Sequence, residues 1–245
     1  KGYRLAEVEA QKILRNLSQE VSVEDDITLK NIAITAMTGK GAEANKGKIS
    51  DLIVGAIKGV LETINGSLHV DLDNIKVERR VGEGDCELIS GVVLDKERVH
   101  SSMPDRVENG QIALLDSPLE IKNTEIDAKI QITDPSQLNA FLEQEEKTLQ
   151  EMVHKIKESG CTVLFCQRGI DEIAQHFLSK AKILAVRRVR KSDLEKLSKA
   201  TGATIVSNWK DITPSDIGSA GLVHEEKIND EEMILVERCQ NPKAV

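Results

Sequence analysis

The residues of this chain that could carry chemistry are its cysteines and histidines, and their spacing matches no catalytic pattern. Structural zinc sites usually need cysteine pairs that are close in sequence, and the four cysteines form none: Cys86, Cys161, Cys166 and Cys239. We therefore predict reduced, mostly buried thiols, as in a cytoplasmic protein. The histidines are equally scattered, at positions 69, 100, 154, 176 and 224. The sequence predicts no catalytic residue and no metal site.

Two glycine-containing stretches suggest phosphate binding, and both fail on detail. The stretch FCQRGID at 165–171 has one glycine, whereas a dinucleotide-binding turn needs three. In the stretch 39–48, Gly41 and Gly47 are six residues apart and Ile49 follows Lys48, which does not fit a P-loop. The residues alone indicate a binding module without an active site. Two alternatives stay open: an α/β enzyme domain with a small-molecule pocket at its strand ends, and a coiled-coil adaptor.

Composition limits the partners that this chain can have. Of its 245 residues 40% are hydrophobic and only 2% aromatic, and its net charge is −8, from 33 basic and 41 acidic residues. An acidic protein without an aromatic platform is poorly suited to nucleic acid. We expect its one basic cluster to be a solvated or subunit-contact patch: Arg187, Arg188, Arg190 and Lys191.

The sequence also bears on membranes and on chain length. It contains no run of 18 apolar residues that would predict a membrane span, and no visible signal peptide. It begins at Lys1 inside an amphipathic pattern and ends at NPKAV, so we expect a piece of a longer protein.

Hydrophobic periodicity predicts a helical first part and an α/β second part. Residues 1–64 have helical spacing, interrupted by the glycine- and lysine-rich stretch 38–48. Short β-rich runs follow, at 75–81, 87–95, 111–116 and 125–132.

After Gly160 strands and helices alternate, with a capping box from Ser192 to Glu195 at the start of the second helix. We expect the strands to be parallel neighbours, at 162–165, 183–189 and 203–208. A hairpin is predicted around Asn229 and Asp230.

A long charged helix with a narrow apolar stripe is predicted before Gly160. Asp134 and Pro135 provide a start signal and Gly160 a stop signal, which predicts a helix over 135–159. Large apolar residues recur along it at three- and four-residue steps: Leu142, Leu149, Met152 and Ile156. The question is whether this stripe packs in its own core or contacts another molecule.

Several long stretches resemble the group II chaperonins, the archaeal thermosome and its eukaryotic cytosolic relatives. They include TAMTGKGAE, SGVVLDKERVHSSMPD, the segment from DPSQ to KESG, and FCQRGIDEIAQHFLSKAKILAVRRVRKSDLEKLSKATGA, and the resemblance runs from end to end. It implies an α/β (α+β) fold, with an apical α/β body, a long helical protrusion and a helical intermediate-domain segment. Residues 1–88 would be the first half of the intermediate domain, and 89–240 the apical domain. The protrusion would lie at about 134–159, and 241–245 would begin the return to the intermediate domain.

The resemblance further implies an ATP-dependent protein-folding chaperonin subunit, cytoplasmic and archaeal, in a double ring with sister subunits. ATP and Mg²⁺ would belong to the full-length protein. The family's ATP site has a Gly-Asp-Gly-Thr-Thr loop, whereas the Gly84-Asp85 pair here is followed by Cys86. We therefore expect no cofactor in this chain and no ATP hydrolysis by it. In TGKGAE, Lys40 resembles the family's sensor of the γ-phosphate, and the flanking glycines would allow close approach.

The resemblance assigns two surfaces to unfolded or partly folded polypeptides. On the lid protrusion, the outer residues would contact sister subunits or clients, while Met152 to Ile156 would pack on the body. These outer residues are Leu138, Phe141, Leu142, Glu145 and Leu149. The second surface is a shallow groove between the helix 170–181 and the loop 100–105. We expect the core face of that helix to be Ile173, Ala174, Phe177 and Leu178. The groove would use the opposite face and the loop: His100, Ser101, Met103, Glu172, Gln175, His176, Ser179 and Lys180.

Overall fold

The computed structural model describes residues 2–41, 45–64, 66–77, 86–121, 135–228 and 231–241. For residues 73, 135–138, 140 and 228 it describes the backbone only. The chain forms two compact units, Lys1–Lys58 and Gly59–Val245. These units divide well before residue 88, where the sequence predicts the domain boundary.

The first unit is helical, as predicted. Its helices are α1 (Gly2–Leu17), α2 (Asp26–Met37) and α3 (Lys46–Gly59). Asp25 caps α2 by accepting a hydrogen bond from the Thr28 amide. The apolar residues that recur at helical spacing along α1 are all exposed: Ala6, Ala10, Ile13, Leu14 and Leu17.

Residues 61–64, predicted to continue the third helix, form a strand instead. The helix ends at Gly59, and β1 (Leu61–Ile64) pairs antiparallel with β2 (Ser67–Val70). Gly66 in the connecting turn has φ +79°, a conformation that glycine adopts without strain. In this hairpin the backbone N–H and C=O groups of β1 and β2 form hydrogen bonds with each other. This pairing outweighs the apolar spacing that suggested a helix.

The second unit is built on a seven-stranded mixed sheet, and the predicted α/β fold is confirmed. Its order is β3-β9-β8-β4-β5-β6, with β7 paired to β4. The predicted hairpin at 221–239 is confirmed, although Asn229 and Asp230 lie outside the described residues. The strands are β3 (Gly91–Leu94), β4 (Arg106–Leu115), β5 (Val163–Cys166), β6 (Leu184–Val186), β7 (Ile205–Val206), β8 (Gly218–Ile228) and β9 (Glu231–Cys239).

One predicted strand neighbour is wrong. β5 and β6 are parallel neighbours, as expected, but β7 pairs in parallel with Leu114 and Leu115 of β4. Since β4 also pairs with β5, it lies between β5 and β7. The sheet therefore has parallel strands on both sides of β4. The strand predicted at 125–132 lies outside the described residues.

Three helices cover this sheet: α4 (Pro135–Glu158), α5 (Glu172–Lys180) and α6 (Lys191–Thr201). The predicted stop of α4 at Gly160 is confirmed by its φ of +83°. The predicted capping box is wrong: the N-cap of α6 is Arg190, two residues before Ser192, and it makes no side-chain cap bond. Asp134, the predicted cap of α4, lies outside the described residues.

Alternate residues of β4 enter two different cores, as the pleat of a strand requires. Ile112 and Leu114 belong to a cluster that includes Leu194 and Leu197 of α6. Ala113 and Leu115 belong to the second cluster, which contains residues of α4 and α5: Leu149, Met152, Val153, Ile156, Ala174 and Leu178. Among the described helices, none is long and apolar enough to cross a membrane.

Candidate functional site

The apolar stripe of α4 is divided between a buried inner part and an exposed outer part. Leu149 and Ile156 are fully buried, and Met152 and Val153 nearly so, where α4 packs near α5 and the turn Trp209–Asp211. Phe141 and Leu142, two turns further out, are 44% and 52% exposed. The predicted division of the stripe is therefore present in the structure.

The division lies closer to the outer end than the sequence predicts. Leu149, predicted to lie in the outer stretch, is in the core because it occupies the helical position that faces the second cluster. Glu145 is half-buried, and the side chain of Leu138 lies outside the described residues. The exposed apolar surface of α4 thus consists of Phe141 and Leu142 among its described side chains.

Helix α5 presents a charged face to solvent. Asp171 caps it by accepting from the Ile173 amide, and Ala174 and Leu178 are fully buried. On the outer side Glu172, His176 and Lys180 are exposed, and Ser179 is half-buried. The Lys180 ammonium lies 5.9 Å from the centre of the Phe177 ring, a cation–π distance.

Two residues of α5 lie on the opposite side from the one predicted. Gln175 is buried, because its side-chain nitrogen donates a 2.8 Å hydrogen bond to the Ile170 carbonyl and so satisfies the amide inside the protein. Ile173, predicted to be core, is 43% exposed. Compared with the prediction, the exposed face of α5 therefore lacks the polar Gln175 and includes the apolar Ile173.

The loop predicted to line the groove is a tight turn. The Met103 amide donates to the His100 carbonyl, and the Ser102 amide donates to His100 Nδ1 at 3.1 Å. Ser101 and Ser102 are exposed at the tip, and His100 is half-buried. Met103, predicted as a groove residue, is only 2% exposed because its side chain anchors the loop in the second core cluster.

Two residues that sequence reasoning missed hold this loop. Arg98 Nε lies 3.0 Å from the carboxylate of Glu225, and the Arg98 amide donates to the same carboxylate at 2.8 Å. The two residues are 127 positions apart in sequence. No periodicity or local motif links positions so distant, so the pair is visible only in the folded chain.

Burial suppresses the ionisation of three of the four thiols. Burial raises the pKa of Cys161 and of Cys166 to about 12, and the pKa of Cys239, which is half-buried, to about 11. At neutral pH these groups are thiols, and the thiolate is the nucleophilic form. Of the four cysteines, Cys161 and Cys166 are buried, Cys239 is half-buried and Cys86 is exposed. Within the described ranges, no group of three potential ligands could hold a metal ion.

Lys40 lies at the end of α2, in an exposed turn. Its amide donates to the Met37 carbonyl, and the preceding Gly39 has φ +75°. The predicted basic cluster is also at the surface, with all four side chains exposed: Arg187, Arg188, Arg190 and Lys191.

Comparison with known proteins identifies the class. Residues 1–245 match the TCP-1/cpn60 chaperonin family. The chain therefore belongs to the TCP-1/cpn60 chaperonin family. Its resemblance to the group II branch is confirmed by a solved structure, the open-state monomer of a group II chaperonin from Methanococcoides burtonii. That structure superposes with a TM-score of 0.77 at 43% identity, over 99% of this chain and 55% of the other.

Thermosome subunits are similar along the whole chain. The identity is 53% to a thermosome subunit of Methanopyrus kandleri and 56% to one of Pyrococcus horikoshii. Each match covers 100% of this chain and 45% of the relative, so the chain spans about half the length of the curated relatives that it matches.

Proposed function

We propose that this chain is the client-binding part of an ATP-dependent protein-folding chaperonin subunit. Its second unit would bind non-native polypeptide, and the outer part of α4 would belong to a built-in lid. In this proposal residues 1–88 are the first half of the intermediate domain and residues 89–240 the apical domain. The full-length subunit would act in the archaeal cytoplasm, in a double ring with sister subunits.

The observation that carries this proposal is the exposed pair Phe141 and Leu142 on a helix whose inner apolar residues are buried. Unfolded chains present apolar area without fixed shape, so a surface that captures them must be apolar, exposed and tolerant of sequence. The exposed charged face of α5, with Glu172, His176 and Lys180, supports a second contact surface of mixed character.

Nucleotide binding belongs to the full-length protein in this proposal. ATP and Mg²⁺ would bind outside the present chain, and Lys40 would report on the γ-phosphate. Its exposed position between Gly39 and Gly41 supports that role, because glycine lets a backbone approach a phosphate closely. The chain alone would not hydrolyse ATP.

The test is suppression of the aggregation of a chemically denatured client, followed by light scattering in the presence of the chain. We expect the wild-type chain to suppress aggregation and Phe141→Ser/Leu142→Ser to do so poorly, since the apolar contact area is lost. The matched control is Glu143→Ser/Gln144→Ser, which changes two exposed neighbours on the same helix. Equal suppression by both double variants would count against the proposal, and so would ATP hydrolysis by the isolated chain.

A further inference from the structure

His224 lies in β8, largely buried between two carboxylates. Its side chain is only 17% exposed, and its Nδ1 atom is buried and makes no hydrogen bond within the described part of the chain. The other ring nitrogen, Nε2, lies 3.6 Å from a carboxylate oxygen of Glu226 on the same strand. Nδ1 lies 4.0 Å from a carboxylate oxygen of Glu237 on β9. Each ring nitrogen therefore faces a different acidic side chain at the distance of an ion pair.

This arrangement is unfavourable for a neutral ring in either tautomer. A neutral imidazole has one N–H donor, and its other nitrogen is an acceptor with a lone pair. If Nε2 carries the proton, the lone pair of Nδ1 faces Glu237, and if Nδ1 carries it, the lone pair of Nε2 faces Glu226. Because a carboxylate is itself an acceptor, one of the two contacts then joins two acceptors. The imidazolium, with a proton on each nitrogen, can donate to both carboxylates.

The charged groups around the ring also favour its charged form. On β4, Arg106 is the residue opposite His224, but its guanidinium lies 3.4 Å from the carboxylate of Glu108, which offsets its charge. On β8 and β9 the charged neighbours are Glu226 and Glu237, and on β3 the residue opposite Glu237 is a glycine. These four side chains carry one positive and three negative charges at neutral pH. A net negative surrounding stabilises the protonated ring.

We propose that His224 is a proton-dependent link between β8 and β9. When both ring nitrogens carry protons, the ring joins Glu226 on its own strand to Glu237 on the neighbouring strand, and when one proton is lost, one of these contacts becomes repulsive. Histidine is the side chain that ordinarily changes its charge between pH 5 and 8, whereas carboxylates stay ionised there. The link is therefore complete at the acid end of this range and weakens as the pH rises.

The link bears on the antiparallel half of the sheet. Since β8 also pairs with β4 and β9 with β3, opening of the hairpin β8–β9 would separate these two pairs of strands. Mild acid would thus make this half of the sheet harder to open. The link does not depend on what the chain binds, and so goes beyond the proposed function.

The experiment measures amide hydrogen exchange of the segments 222–226 and 234–237 in the whole chain at pH 5.5 and pH 8. Protection factors, which correct for the intrinsic pH dependence of exchange, report on opening of the hairpin. In the wild type we expect about threefold higher protection at pH 5.5, the effect of one or two partly exposed ion pairs. His224→Gln, which is neutral at both pH values, should remove this difference. His154→Gln is the matched control, because His154 lies 3.5 Å from Glu158 but on α4, and it should leave the difference unchanged.

A second variant and a second measurement keep the outcome decisive. Glu237→Gln removes the contact between the strands and should also reduce the pH dependence of protection, and it serves if His224→Gln does not fold. Long-range proton–nitrogen NMR spectra show which nitrogens of the His224 ring carry protons, and we expect both to do so at pH 5.5 and one at pH 8. A ring with a single proton at pH 5.5 would overturn the proposal. So would a charged ring with the wild-type pH dependence of protection in His224→Gln or in Glu237→Gln.

Discussion

The side-chain nitrogen of Lys76 lies 3.5 Å from the carboxylate of Asp193, with both side chains largely buried. The same nitrogen donates to the Val93 carbonyl at 3.1 Å. Lys76 follows the hairpin β1–β2, Val93 lies in β3, and Asp193 is in the first turn of α6. Lys76 therefore links the segment before β3 to both β3 and α6.

Removing one partner of this pair should destabilise the second unit. Asp193→Ala removes this carboxylate from beside the largely buried Lys76 ammonium, and we expect a loss of about 3 kcal/mol in the free energy of unfolding. Lys76→Met/Asp193→Leu, which removes both charges, should cost clearly less. Denaturant unfolding measures both. A single variant as stable as the wild type would show that the pair is not coupled.

Because the stripe of α4 is divided, the same substitution should have a large effect on stability in its inner part and a small one in its outer part. Leu149→Ala removes a fully buried side chain and should cost about 3 kcal/mol in the free energy of unfolding. Leu142→Ala removes a half-exposed one and should change stability by less than about 0.5 kcal/mol. Thermal denaturation of the two variants gives the comparison. Similar losses at both positions would mean that the outer part of α4 is covered in solution.

The cysteines should react in a strict order. Cys86 is exposed, whereas burial raises the pKa of Cys161 and of Cys166 to about 12. At pH 8 a thiol reagent should therefore react quickly with Cys86 in the native chain and more slowly with Cys239. It should react with Cys161 and Cys166 only after unfolding. Cys86→Ser should abolish the fast phase. A fast phase that survives in Cys86→Ser would contradict the burial of the other thiols.

Acid should weaken the contact between α2 and α3. A hydrogen bond from Lys58, and the charge of that lysine, lower the pKa of Asp26 from its ordinary 3.8. A lowered folded-state pKa contributes stability that is present above pH 3.8 and is lost as the pH falls through the lowered value. Lys58→Met should make stability depend less on pH. Circular dichroism between pH 5 and pH 2 measures this dependence. Lys12→Met, on α1, is the control and should leave the profile unchanged.

Much of this fold follows from local patterns. The start and stop signals around α4 and the spacing of Leu149, Met152 and Ile156 predict both the helix and its inward face. The same holds for the alternation of β5, α5, β6 and α6, because helix periodicity and turn residues act within a few positions of each other.

The errors share one cause, which is that tertiary contacts decide what a local pattern leaves open. The sequence predicts Gln175 on the exposed groove face, but its side-chain amide donates to the Ile170 carbonyl inside the protein. It predicts Met103 as a groove residue, but the side chain of Met103 lies in the second core cluster. β7 pairs with β4 rather than with β6, the strand that precedes it in the chain. The contact of Arg98 with Glu225 joins two segments that no sequence window contains.

The most direct test of the central claim is photo-crosslinking from the outer part of α4. A photoreactive residue at position 142 should crosslink to an unfolded client, whereas the same residue at position 158, at the other end of the helix, should not. Crosslinking at 142 that disappears when the client is folded would support capture of non-native chains by this surface. Equal yields at the two positions, or none at 142, would contradict it.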